Sequence, residues 1–289
     1  MNLISKIFWP ITAPIKFIQE HFKTVLFLTI IFYMVSNTDP KDLEVVNLQT
    51  IELSGPIMSA NEVLEKIDKA KNDKNIKGVL LSVNSPGGAV APSVEIAYAI
   101  KELNEIKPVI AYASGIMASG SYYSSIWASK IVANPGSMIG SIGVIMQSVD
   151  ASELLAKIGV QTQTVKIGTY KEAGTPTRKW TKAERDELNN VIQSTYDMFI
   201  TDVSGARGLK KENHKSYADA HIFTSIQAKN VGLVDEVATI SRAKTLVIEL
   251  SGVTKPVWSK EDKMEKFMEK LVNGTVANIS NNMTGMLAY

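Results

Sequence analysis

Between residues 113 and 123 the chain reads Ala-Ser-Gly-Ile-Met-Ala-Ser-Gly-Ser-Tyr-Tyr, its densest run of small residues. Ser114, Ser119 and Ser121 sit where a short apolar run, Pro108–Ala113, gives way to a helical pattern at about 119–128. Hydroxyls at such a junction can stand exposed at the carboxyl edge of a sheet. Small neighbours let a substrate backbone approach, and the first N–H groups of the helix can stabilise an oxyanion. The same residues also suit a plain tight turn whose serines cap a helix, and composition does not separate the two. A nucleophilic serine needs a base. The three histidines lie at 21, 214 and 221; His214 is in a polar run and His221 precedes Ile222-Phe223, both settings for surface or structural roles. No Gly-x-Ser-x-Gly elbow occurs. A lysine made basic enough by desolvation is the remaining route, and the residues alone do not choose which lysine.

The rest of the composition narrows the classes. The chain has 289 residues, 45% hydrophobic and 21% charged, ample for a large core. With no cysteine there is no disulfide, no thiolate nucleophile and no Cys-ligated metal, and the pattern calls for no cofactor. The net charge is +2, and it resides in the first 38 residues, where Lys6, Lys16 and Lys23 face only Glu20. A neutral main domain is a poor match to nucleic acid.

Residues 24–35 (TVLFLTIIFYMV) carry no charge and lie between Lys23 and Asp39, Asp42 and Glu44. This reads as a short transmembrane anchor, residues 24–38, with the lysine-bearing segment 1–23 in the cytoplasm and the main domain outside. A cleaved signal peptide is the rival, but no convincing small-x-small cleavage site follows Val35, and the basic region is unusually long.

Elements able to position the serine run follow a linker at 39–45. Strands are expected at 45–53, 78–83, 108–113, 130–133 and 162–166, and helices at about 59–70, 92–104, 119–128 and 151–158. A Ser59–Glu62 capping box opens the helix at 59–70, and a Thr181–Glu184 box opens a later, long helix. Strand–helix alternation with short crossovers argues for an α/β fold. Residues 46–250 form the expected main domain, and 251–289 an amphipathic helix (Met264, Phe267, Met268, Leu271) plus a polar tail. That helix suits its own domain, a neighbouring subunit or a membrane surface. The three N-x-[ST] sequons at Asn273, Asn278 and Asn282 fit the tail's composition.

Five segments in order carry a resemblance: Asn84-Ser85-Pro86-Gly87-Gly88-Ala89, Met117–Tyr123, Gly136–Val144, Gly168-Thr169-Tyr170-Lys171 and Gly232-Leu233-Val234-Asp235. Together they resemble the signal peptide peptidase A family of serine–lysine membrane peptidases, in its single-domain bacterial form, over roughly residues 45–245. The resemblance implies a crotonase/Clp protease-like domain of repeated β-β-α units. It also implies that Ser119 is the nucleophile, Lys171 the general base 52 residues on, and Ser141 a serine that helps hold the lysine. Gly88 and Gly120 are implied as backbone oxyanion donors. One residue departs from the pattern: Ser121 stands where the family has the second glycine of S-G-G.

From the same resemblance follow peptide substrates, notably remnant signal peptides and misfolded proteins, a bacterial inner-membrane location with an extracytoplasmic catalytic domain, and a homo-oligomer, an octamer foremost. Neighbouring subunits would complete the cleft. Apolar Ile116, Met117, Ile139 and Ile142 are expected to line substrate pockets, with core packing as the alternative. A catalytically silent membrane scaffold and other acyl chemistry of the crotonase fold are the competing functions. The presence of both Ser119 and Lys171 speaks against each.

Overall fold

The computed structural model describes residues 17, 18, 20–36 and 44–259, and the chain divides into two units after Val45. In the first unit, helix α1 (Phe22–Ser36) forms over the apolar run, with Thr29 Oγ1 donating to the Val25 carbonyl at 2.8 Å. Its 15 residues span about 22 Å, short of a hydrocarbon core about 30 Å thick. Among the described residues no helix is long and apolar enough to cross a membrane. The expected segment 1–16, the end of the expected span at 37–38, most of the 39–45 linker and the amphipathic tail helix lie outside the described residues.

The second unit is a superhelical α/β domain of repeated strands and helices. Strands β1 (Leu48–Ser54), β2 (Gly78–Ser85), β3 (Val109–Ala118), β4 (Lys130–Ala133) and β7 (Glu236–Val237) lie side by side in that order, all parallel. Parallel sheets are buried on both faces and read as continuous apolar runs, as Gly78–Val83 does. Val79, Leu81 and Val83 enter one core with helices α2 (Asn61–Asn72) and α3 (Val90–Ile106). Leu80, Ile110, Tyr112 and Val132 enter the other with helix α8 (Ile240–Ser251). The domain runs past residue 250: Val257 and Ser259 bond to the Asn47–Leu48 backbone, and Trp258 bridges Leu48 along the outer edge of β1.

Strand β3 positions the site. Its first half pairs with β4, and its last three residues, Ile116–Ala118, pair instead with β5 (Met138–Gly140). Strand β5 in turn pairs antiparallel with β6 (Ile222–Thr224). The switch coincides with a register shift against β2, where Asn84 Oδ1 accepts the Ile116 N–H at 3.0 Å and Ser114 Oγ donates to the Val83 carbonyl at 3.1 Å. A bulge of this kind bends and re-aims a strand end. Residues 114–118 thus continue the strand that was expected to stop at Ala113.

Two capping expectations come out differently. Thr181 and Glu184 do form a capping box on helix α6 (Lys182–Arg207), which closes on Gly208 in the left-handed region. The Ser59–Glu62 box does not form: Ala60 is the N-cap of α2, and Ser59 Oγ accepts only the Asn61 N–H, at 3.3 Å. No strand forms at 162–166 either; Val165 is fully exposed, with no sheet edge alongside it to supply hydrogen bonds.

The far end of α2 is held by Lys107, whose ammonium donates to the carbonyls of Ala70 (2.5 Å), Lys71 (3.1 Å) and Asp73 (2.7 Å). Ala70 and Lys71 carry carbonyls a helix leaves unpaired at its C-terminus, and Asp73 is the C-cap. Burial holds this ammonium below its ordinary pKa, with Asp73 acting in the opposite sense. Lys107→Met is expected to destabilise the fold by about 1–3 kcal/mol, read as a lower urea midpoint at constant slope. An unchanged midpoint would remove this cap from the account.

Candidate active site

Ser119 follows the last residue of β3 and precedes helix α4 (Gly120–Ser125), with φ 52° and ψ −124°. A non-glycine residue in that region is strained and persists only where its surroundings impose it. Here the Ser119 N–H donates to the Gly140 carbonyl at 2.8 Å, and the Ser119 carbonyl accepts from Tyr123 N–H at 3.0 Å. The strain therefore turns the chain out of the sheet and into α4 at the serine itself. The turn expected from composition exists, but Ser119 makes no side-chain cap.

The end of β2 reaches the same corner. Ile57 pairs with the Gly87–Ala89 backbone, so a Cβ on Gly88 would stand 2.2 Å from the Ile57 carbonyl oxygen. A Cβ on Gly120 would stand 2.2 Å from Ser93 Oγ and 3.3 Å from the Gly88 nitrogen. Glycine is needed at 88 because backbone meets backbone there, and at 120 because the Ser93 side chain occupies the space a Cβ would take. Among the described residues, neither the Gly88 nor the Gly120 N–H has an acceptor. Two free amides beside a hydroxyl at the head of a helix can stabilise an anionic oxygen.

A solvent-open cleft of roughly 500 Å³ lies against this corner and contains Gly88, Ser119 and Gly120. Its walls are largely apolar: Val90 and Val94 from α3, Val144 and Ile145 beyond β5, and Met198 and Phe199 from α6. Tyr123 fixes the α6 wall, since its phenol donates to Asp202 and its ring meets Phe199 edge-on at 4.8 Å. Burial, then the Asp202 carboxylate, push that phenol's pKa up. None of the four residues expected to line pockets is in the lining of this cleft. Met117, Ile139 and Ile142 are fully buried in the main core, and half-buried Ile116 is outside the cleft lining. Alternation along β3 and β5 sends Met117 and Ile139 inward, so the core-packing alternative holds for them. The α6 wall had one visible signal, the inward helical spacing that includes Phe199; Val90, Ser93 and Val94 had none.

Ser141 also has a positive φ, 50°, and its N–H donates to the His221 carbonyl at 2.7 Å, one residue from the carbonyl that holds Ser119. It is not part of the cleft lining, nor are His214 and His221. Lys171 is not brought to Ser119 by this chain alone: it is exposed, outside the lining, and its ammonium has no hydrogen-bond or ion-pair partner among the described residues. Its loop is nevertheless tied down. Glu172 binds Lys166 and Arg178, and Arg178 forks onto Glu184 at 2.6 and 2.9 Å. Hydrogen bonds from Lys166 and Arg178, among others, take the Glu172 carboxyl down to about 2, and those from Arg178 and the Thr181 backbone do the same for Glu184.

The profile of peptidase family S49 matches residues 101–254. A candidate protease of the cyanobacterium Synechocystis is 35% identical over 204 residues, 70% of this chain and 74% of that protein. The chain belongs to peptidase family S49. A candidate protease of Methanocaldococcus jannaschii is 40% identical over 68% of this chain and 63% of its own length. The chloroplastic serine protease SPPA of Arabidopsis thaliana is 32% identical over 65% of this chain and 28% of its own. This S49 chain thus spans less than two thirds of the archaeal and plant relatives it matches.

In the S49 chain the Gly232–Asp235 segment has a structural duty. Asp235 Oδ2 accepts from Ile131 N–H (2.7 Å) and Arg207 Nη2 (2.9 Å), and Oδ1 takes Lys130 Nζ at 3.3 Å. The carboxylate joins β4 to the last turn of α6, the helix that walls the cleft. Burial opposes ionisation of Asp235, but the Ile131 amide and the Arg207 and Lys130 charges together hold its pKa below the ordinary value. Asp235→Ala is expected to destabilise the domain by about 3 kcal/mol, because Arg207 is left buried and unpaired. A depressed carboxyl stabilises fully above its unfolded pKa of about 4 and loses that contribution as pH falls through its folded value. The gap in urea midpoint between wild type and variant should therefore narrow below about pH 4; a gap constant with pH would contradict the ionised pairing.

Proposed function

We propose that this chain is a serine endopeptidase in which Ser119 attacks the peptide carbonyl and Lys171 takes its proton. The observation that carries the reading is the strained Ser119 turn, with the unpaired Gly88 and Gly120 N–H groups beside it at an apolar-walled cleft. Ser119 Oγ bonds to the carbonyl carbon as its proton passes to Lys171 Nζ. The two amides receive the oxyanion, a contribution of about 3–4 kcal/mol per donor. The lysine then returns the proton to the leaving amine, and water repeats the sequence on the acyl-enzyme. No metal or organic cofactor takes part in these steps.

The walls of Val90, Val94, Ile145, Met198 and Phe199 suit apolar side chains next to the cut, which supports remnant signal peptides and misfolded membrane or secreted proteins as substrates. The relatives' protease names support the activity, and the strand–helix repeats support kinship with the crotonase/Clp fold. We place the apolar N-terminal segment at the bacterial inner membrane, with the catalytic domain on the extracytoplasmic side. The active form is a ring of copies, an octamer, in which Lys171 of one copy serves Ser119 of its neighbour and Ser141 helps hold that lysine. Two features support the ring: Lys171 is exposed, and the stretch before it exposes Ile145, Val149, Leu154, Ile158, Val165 and Ile167, apolar side chains that a neighbouring copy would cover.

A fluorophosphonate that acylates activated serines tests the reading by intact mass. A single adduct mapped to Ser119, absent from Ser119→Ala and Lys171→Ala, is expected. An adduct on another serine would displace Ser119 as nucleophile.

A further inference from the structure

Ser121 stands where the family pattern has glycine, and its side chain is completely buried beneath the Ser119 turn. Its hydroxyl is fully employed. Oγ accepts the Ala118 N–H at 2.9 Å and lies 2.7 Å from the Ser85 carbonyl and 2.9 Å from the Ala118 carbonyl, either of which can take its one proton. The shorter contact, to Ser85, makes Ser121 a bridge between two strand ends. Ala118 ends β3 and leads directly into Ser119 and Gly120; Ser85 ends β2 and leads through Pro86-Gly87 to Gly88. The backbone register of the two strands has just shifted, and the ladder stops at Ser85–Met117. Past that point Ser121 joins the arm carrying the Gly88 amide to the arm carrying the nucleophile and the Gly120 amide.

The neighbouring hydroxyls strengthen the same joint. Ser85 Oγ accepts the Gly87 N–H at 3.2 Å, and Ser124 Oγ lies 2.9 Å from the Gly120 carbonyl and 3.1 Å from the Ser93 carbonyl. Ser85, Ser93, Ser121 and Ser124 are all at most 2% exposed, so none of these bonds competes with bulk water. Of these four hydroxyls, that of Ser121 joins the β2 end to the β3 end through a single atom.

We infer that Ser121 is a positioning residue that sets the spacing between the Gly88 and Gly120 oxyanion donors, in place of the glycine the pattern has there. The inference rests on the reading of Ser119 as nucleophile and deepens it. Removing the hydroxyl unpairs the buried Ala118 amide and the Ser85 carbonyl and lets the two arms move apart. Misplaced donors weaken transition-state stabilisation while substrate still binds in the apolar cleft.

The test compares wild type with Ser121→Ala, Ser121→Gly and Ser121→Cys on one apolar peptide substrate. A peptide boronic acid, which forms a tetrahedral adduct on the nucleophile, is titrated in parallel. Ser121→Ala and Ser121→Gly are expected to lower kcat by about 10- to 100-fold with KM within about twofold, and to weaken boronate affinity by the same factor. Ser121→Cys fills the site with a slightly larger, weak donor and recovers part of the loss; it also carries the test if the smaller variants do not fold, as judged by thermal midpoint and elution volume. Folded variants with wild-type kcat and boronate affinity would overturn the inference, as would a loss confined to KM. Ser119→Ala runs alongside. If it stays active the nucleophile reading itself fails; if it is inactive while the Ser121 variants match wild type, only the positioning role falls.

Discussion

Replacing Ser119 by alanine is expected to remove essentially all peptide hydrolysis, about 10⁶-fold in kcat on the scale known for a hydrolase stripped of its nucleophile. The fold should survive, because Ser119 Oγ makes no hydrogen bond among the described residues and both anchoring bonds are backbone ones. Alanine meets the same φ of 52° at about the same steric cost as serine. The thermal midpoint is therefore expected to stay close to wild type while product release in a fluorogenic peptide assay drops to background. Retention of even a hundredth of wild-type turnover by the purified variant would mean that another group performs the attack, and the strained turn would then need a different explanation.

The second large effect belongs to Lys171. Both Lys171→Ala and Lys171→Arg are expected to lose at least about 10³-fold in kcat, since a positioned base contributes on that scale. Arginine keeps the charge and length but stays protonated, so it cannot accept the Ser119 proton. Near-normal activity in Lys171→Arg would end the assignment. The exposed position of Lys171 outside the cleft lining adds a sharper measurement. Co-expressed Ser119→Ala and Lys171→Ala copies, each inactive alone, form mixed assemblies. If each site takes its serine from one copy and its lysine from the next, random mixing restores about a quarter of the wild-type sites. If serine and lysine act within one copy, the mixture stays inactive. Loss in the single variants with no recovery on mixing would keep the dyad and discard the shared site.

Much of the frame was legible because it depends on local pattern. The apolar run at Gly78–Val83 and the Thr181–Glu184 box each specify an element through near neighbours, and both formed. Ser59–Glu62 has the same box pattern, yet α2 starts one residue later, with Ala60, not Ser59, at its N-cap. The pocket residues illustrate the limit more plainly. Ile116, Met117, Ile139 and Ile142 flank the chemistry in sequence, but a strand sends successive side chains to opposite faces, and three of the four fill the core. The actual walls come from α3, from the segment after β5 and from α6, which are far apart along the chain.

The family, the α/β class and the segments of small residues could be read along the chain, because they are carried by residue type and short spacing. The folded chain was needed to reveal that β3 changes partner at its end, that this places Ser119 in a strained turn held by the Gly140 carbonyl, and that the Gly88 and Gly120 amides converge beside it. It also decided that Ser121, a departure in the motif, is a buried bridge rather than a side chain in the cleft. The reason is physical. Residue type limits what a position can do within a few neighbours, whereas convergence of chain segments 30 residues apart depends on which strands pair and which faces they bury.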